Sequence, residues 1–359
     1  MTMEEQFRSI IEDAVVKAAE EAGEAKAIER IKSGAVGEAV ASAAPEIGAS
    51  MASTLIETMP RMLPERRGAE AAIAESLRRS YGPGLDVVEA ILRCVHEIGE
   101  EYVELRFPKD GDIPVMRWVL GHLHARACRI AEEALVLLKT GYGLGAYSRW
   151  RALHEVVVVG EFIHQHGEET AARYYEHIDV NRWRLLKEGA EAGRLDEESL
   201  AALEAADARV DELAAKYGEE FRSDYGWAVK ALAGQPNGGF RGIEGATDFT
   251  HLRVDYREAS SAIHATAHWV LDPPDADLLG TTMVTGASPL VVATPAHAVA
   301  ISLLVSIGTL LTSTESWAAP FLLETISVLC DRAGELLVAA EAEVERQLRE
   351  EQEDTAAGR

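Results

Sequence analysis

The hydrophobic positions of this chain recur mostly three and four residues apart, the spacing that lines one face of an α-helix. "GPGLDVVEAILRCVHEIGEEYVELRF" predicts a helix that starts after Pro83, with Asp86 near its positive end. The turn-rich "FPKDGDIP" follows it. "VMRWVLGHLHARACRIAEEALVLLKT" and "AYSRWRALHEVVVVGEFIHQHG" then carry one helical period on both sides of "GYGLG". That arrangement predicts a helical hairpin with a short glycine-rich connection. Val156 to Val159 alone would suit a strand, but no turn signal flanks them and the Ala, Leu, Glu and Arg around them favour helix. Further helices are expected from about Glu168 to Glu188, over 196–217 as an exposed element, from about Thr250 to Val270, near 296–313 and over 320–350. "AGQPNGGFRGIEGATDF" reads as a loop, and Pro273 with Pro274 stops the helix that precedes them.

The first 75 residues alternate acidic, alanine-rich helical patterns with small-residue breaks at "GASMAS" and "MLPERRGAE". The expected organisation is therefore an acidic helical extension over 1–75, a main helical domain over 76–350 and a disordered tail over 351–359. No repeat of 20 to 50 residues is present, which excludes a solenoid. The fold class expected is all-α, a multi-helix bundle built on long antiparallel helical hairpins.

Charge narrows the partners. The formal net charge of −25 works against non-specific attraction to nucleic acid and to anionic membranes, so no DNA or membrane partner is expected. Three scattered cysteines without CxxC spacing point to reduced thiols and a cytoplasmic location. The charge-free run between Asp277 and Glu315 is broken by Pro289, Pro295 and His297. Its cleanest piece, "AHAVAISLLVSIGTLL", falls short of the roughly 20 residues that span a bilayer and predicts a buried core helix.

Two stretches carry candidate chemistry. On "SRWRALHE", Arg151 and Glu155 stand one helical turn apart on a helix that is apolar almost all round, so both must be well partnered or line a pocket. In "YREASSAIHATAHW", Arg257, Ser261, His264 and His268 step by four, three and four along one helical stripe. That stripe is read either as a site or as the polar seam of a packed helix. Glu161 and His164 have a metal-ligand spacing, but the second such pair and the further carboxylates of a di-iron bundle are missing, so no metal and no cofactor is expected. Arg173, Arg182, Trp183 and Arg184 form the best local basic and aromatic run, read either as an RNA-binding surface or as a solvated helix face. "TGYGLGAYS" joins two helices and is a hairpin turn, not a nucleotide loop.

The motifs Ser148, Arg151, Leu153 and Glu155, followed by Tyr256, Ser260 or Ser261 and His264, resemble the bacterial domain-of-unknown-function family 5677 over about residues 105–345. In that family an Arg-x-Leu-x-Glu helix pairs with a later Tyr…Ser…His helix, which implies an all-helical fold and no settled activity. Arg257 and His264, with six residues between them, are also similar to the Arg…His signature of HEPN-type ribonucleases. Arg149 and His154 fit the same loose pattern. That similarity implies a metal-independent RNA endonuclease in bacterial defence or stress response, active as a homodimer. Arg257 and His264 would be catalytic, with Arg151, Glu155, Ser261 and His268 supporting them. Glu258 stands where that group carries a polar amide, which sets a carboxylate beside the phosphate site. The competing expectation is a non-enzymatic helical module that binds a partner protein or a small ligand, with the Arg/Glu/His network structural.

Overall fold

The computed structural model describes residues 35–106, 113–233, 238–264, 266–271, 274–279, 285–314 and 316–357. The chain divides into two units, Met1–Ala69 and Glu70–Arg359. Residues 1–34 of the expected extension and most of "FPKDGDIP" lie outside the described residues. Among the described residues there is no β-strand, and the fold is all-α.

Helix α1, Ala35–Arg106, begins in the first unit and ends in the second. Neither the expected breaks nor a start after Pro83 interrupts it. The reason lies in its packing: Leu77, Tyr81, Leu85, Val88, Ile91 and Val95 form a buried stripe that begins before Pro83. Pro83 forgoes one backbone hydrogen bond, while the buried side chains on both sides hold the helix in place. Burial of each such side chain contributes about 1.5–3 kcal/mol.

Helices α2, Val115–Lys139, and α3, Gly143–Glu191, form the expected hairpin, with Val156–Val159 helical. The Glu168 carboxylate accepts the free amides of Val115 and Met116 at the start of α2, at 2.6 and 3.1 Å. The expected division of α3 between residues 166 and 168 appears as a kink at Gly167, whose φ of 77° and ψ of −166° suit glycine alone.

Helix α4, Glu197–Tyr217, is capped by Asp196 and packs on α3 through Val210, Leu213 and Ala214. The chain continues through two 3₁₀ turns, Glu219–Arg222 and Gly226–Ala228, into α5, Phe240–Gly245. This short helix lies in the stretch expected to be only a loop. A third 3₁₀ turn, Thr250–Leu252, leads into α6, Arg253–Ile263, and then α7, Ala267–Leu271, and α8, Ala276–Leu279. The single helix expected over 250–270 is therefore broken. His264 turns extended, with φ −90° and ψ 147°. Thr266 satisfies the freed backbone instead, donating its hydroxyl to the Ser261 carbonyl at 3.2 Å and its amide to the His264 carbonyl at 2.7 Å.

Helix α9, Ala293–Thr312, is the charge-free element. It packs against α2, α3 and the last helix, α10, Ala319–Ala357. At 20 residues it is longer than its sequence pattern indicated, and it is long and apolar enough to cross a membrane; most of it is buried in the bundle. Trp150 of α3 anchors it, donating its indole N–H to Ala298 O and Ser302 Oγ, both at 3.1 Å. Helix α10 continues to Ala357, beyond residue 351 where the tail was expected to begin. Cys94, Cys128 and Cys330 are free thiols.

Two glycines of α3 give opposite expectations. A Cβ on Gly167 meets no neighbour, so Gly167→Ala costs only backbone conformation, about 1–3 kcal/mol. Gly160 is helical, and its added Cβ would make ordinary contact with Leu123 at 3.8 Å, so Gly160→Ala stabilises by about 0.5–1 kcal/mol. Urea unfolding of the two variants checks both signs.

Candidate functional site

The polar groups of α3 and α6 meet where the two helices pack. At the outer edge, Arg151 Nη2 donates to the Tyr256 hydroxyl at 2.8 Å, and that hydroxyl donates to Glu155 Oε1 at 2.5 Å. Arg151 Nη2 also lies 2.8 Å from Glu155 Oε1, which closes a three-membered ring of contacts. Burial, and after it the Glu155 carboxylate, raises the Tyr256 phenol well above its ordinary range, so it stays protonated as the donor.

One layer deeper, His154 and Glu244 are 1% and 2% exposed. His154 Nε2 stands 3.0 Å from Glu244 Oε1, and Arg253 Nη1 donates to Glu244 Oε2 at 2.7 Å. Burial lowers the basicity of His154, and the hydrogen bond to Glu244 opposes that shift in part. We read His154 as neutral, with its proton on Nε2, because an ionised carboxylate can only accept. Arg253 neutralises the buried charge of Glu244. Aromatic rings fill the space between the two layers. Tyr256 lies 5.2 Å from Phe240 and 5.6 Å from His154 between ring centroids, and the Arg151 and Arg253 guanidinium groups stand 5.0 and 5.1 Å from its own.

The structure thus brings Arg151, Glu155 and Tyr256 together and adds His154, Glu244 and Arg253, which the sequence reading did not single out as a group. Arg149 turns away to an ion pair with Glu133 at 2.5 Å. Arg257 is exposed on α6, His264 is exposed just beyond its last turn, and His268 is exposed on α7. Among the described residues the Arg257 and His264 side chains have no hydrogen-bond or ion-pair partner. Ser261 spends its hydroxyl on the Arg257 carbonyl at 3.0 Å.

The basic and aromatic run is also dispersed. Arg173 is buried and donates to the carbonyls of Trp227 and Gly226. Trp183 donates to Asp207, and Arg184 pairs with Asp224; Arg182 is exposed. Glu161 accepts from Thr309 at 2.6 Å, and His164 Nε2 lies 3.2 Å from the Thr312 hydroxyl, so both members of the Glu-x-x-His pair contact α9 threonines. Among the described residues no group of three or more His, Cys, Asp or Glu side chains converges as a metal site would require.

As a chemical device the cluster is a clamp: its phenol is held protonated and its imidazole is sealed from solvent. Tyr256→Phe removes the hydroxyl that joins Arg151 to Glu155 and is expected to cost about 1–3 kcal/mol. Arg257→Ala, which breaks no contact among the described residues, is expected to stay within about 0.5 kcal/mol of the parent. Chemical denaturation of both variants checks the contrast.

No curated protein and no solved structure matches the chain. Residues 117–271 match the model of DUF5677, described as a family of unknown function. The match is narrower than the resemblance read from the motifs, and it runs from α2 to α7, enclosing every residue of the clamp. Over residues 117–271, short of half of the chain, the sequence is therefore similar to a family of unknown function.

Proposed function

We propose that the chain is a non-enzymatic helical binding module in which the polar network is structural and fixes α6 as the element that meets a ligand. The observation that supports this reading is the closed Arg151–Tyr256–Glu155 ring. A general acid or base must exchange protons near neutral pH. Here the phenol is held above that range, and the nearest imidazole is buried against a carboxylate. Groups spent on each other are suited to holding a helix at one angle.

A second reading, a HEPN-like RNA endonuclease acting through Arg257 and His264, draws on one observation. Both side chains are exposed, and the same stretch exposes Val254 at 68% and Leu271 at 76%. A second copy seated there would bury that apolar surface and complete a composite site for RNA. The chain's net charge of −25 and Glu258 beside Arg257 weigh against it.

Incubation of RNA with the full chain, without added divalent metal, separates the two. The binding-module reading expects intact RNA with the parent, with Arg257→Ala and with His264→Ala. Cleavage by the parent that disappears in His264→Ala, with the melting temperature unchanged, overturns it in favour of the nuclease.

A further inference from the structure

Within the second unit, lined in part by Trp150 of α3 and Asp255 of α6, lies an open cleft of about 390 Å³. Its walls are apolar, with Ile301 from α9, Val338 from α10 and the Trp150 indole from α3. Its charged groups all carry one sign: Asp255, Glu341 and Glu345 line it, and no Lys or Arg does. Two of these carboxylates have other engagements. Glu341 accepts the Val292 and Ala293 amides at the start of α9, at 2.8 and 3.3 Å, and Glu345 faces Arg349 at 3.8 Å. Asp255, half-buried one residue before Tyr256, has no hydrogen-bond or ion-pair partner among the described residues.

Thr294 and the His297 imidazole also line the cleft, and the imidazole likewise has no hydrogen-bond partner among the described residues. It is seated there by an absent side chain: a Cβ on Gly334 of α10 would come within 2.8 Å of its Nε2. An apolar cleft with a free carboxylate, a free imidazole and no lining Lys or Arg is complementary to a ligand that is apolar at one end and positively charged at the other.

We propose that this cleft is the binding site for an organic cation, a protonated amine carrying an apolar group, with Asp255 as its principal counter-charge. The ammonium donates to the Asp255 carboxylate and to a His297 ring nitrogen, and the apolar group rests on Ile301 and Val338. The proposal rests on the binding-module reading and supplies its ligand class. Asp255 and Tyr256 are neighbours on α6, so the clamp that buries Tyr256 also sets where Asp255 points.

The test is calorimetric titration of the full chain with protonated phenethylamine, with neutral 2-phenylethanol and anionic 3-phenylpropionate as controls. The amine is expected to bind and the two controls to bind at least about tenfold more weakly, the loss of one charge-assisted contact. Asp255→Asn is expected to weaken the amine about tenfold. Ala342→Trp, an exposed α10 position lining the cleft, is expected to abolish binding by filling it, with an unchanged melting temperature. No binding of the amine, equal binding of the neutral alcohol, or unchanged affinity in a folded Asp255→Asn variant each overturns the proposal. The RNA experiment is independent of this readout: cleaved RNA defeats the binding-module reading whatever the amine does, and failed amine binding with intact RNA defeats the cleft alone.

Discussion

The arrangement of this domain around α6 turns on a single buried charge. Glu244 is 2% exposed, and a carboxylate removed from water must be paired or it destabilises the fold by several kcal/mol. Its partners come from two other elements, His154 from α3 and Arg253 from the first turn of α6. The requirement to satisfy Glu244 therefore fixes α5 between α3 and α6. It also sets the rotation of α6, since Arg253 must face Glu244 of α5 while Tyr256 faces Arg151 and Glu155 of α3. Tyr256 then completes the outer ring with Arg151 and Glu155.

Once α6 is held in this way its remaining sides are assigned. Asp255 enters the cleft beside Trp150, while Val254 and Arg257 face outward. Trp150 links the two regions: its indole is hydrogen-bonded to α9, it lines the cleft, and it lies 5.4 Å from the His154 ring in the clamp. A ligand in the cleft would thus touch an element whose angle is set by the clamp behind it. Such coupling needs no catalytic group, which agrees with a phenol held protonated and an imidazole sealed by burial.

Much of the bundle was legible in the sequence because helical periodicity survives local distractions. Val156–Val159 are helical as their context required, and the change of element near Gly167 is a kink at that residue. Arg151 and Glu155 were legible as a pair because a charged pair on an apolar helix must be partnered, and Tyr256 is the partner that the family motif set beside them. Glu244 was not legible. It sits among glycines in a stretch with no helical period, and only the folded contacts show that six residues there form a helix. The end of α6 was hidden for a different reason. "HAT" contains neither glycine nor proline, and the break depends on the Thr266 hydroxyl capturing the Ser261 carbonyl. That break separates His268 from the stripe it was read with. Pro83 misled in the other direction, because buried contacts on both sides of it outweigh one lost hydrogen bond.

The central claim is that the Glu244 network, not general hydrophobic packing, holds α6 against α3. Amide hydrogen exchange of a Glu244→Gln variant tests it most directly, since the substitution keeps the shape and removes the charge that Arg253 pairs with. The account predicts a selective loss of protection over Phe240–Ile263, with the α2–α3 hairpin protected as in the parent. Unchanged protection over Phe240–Ile263, or an equal loss across the whole domain, would contradict it.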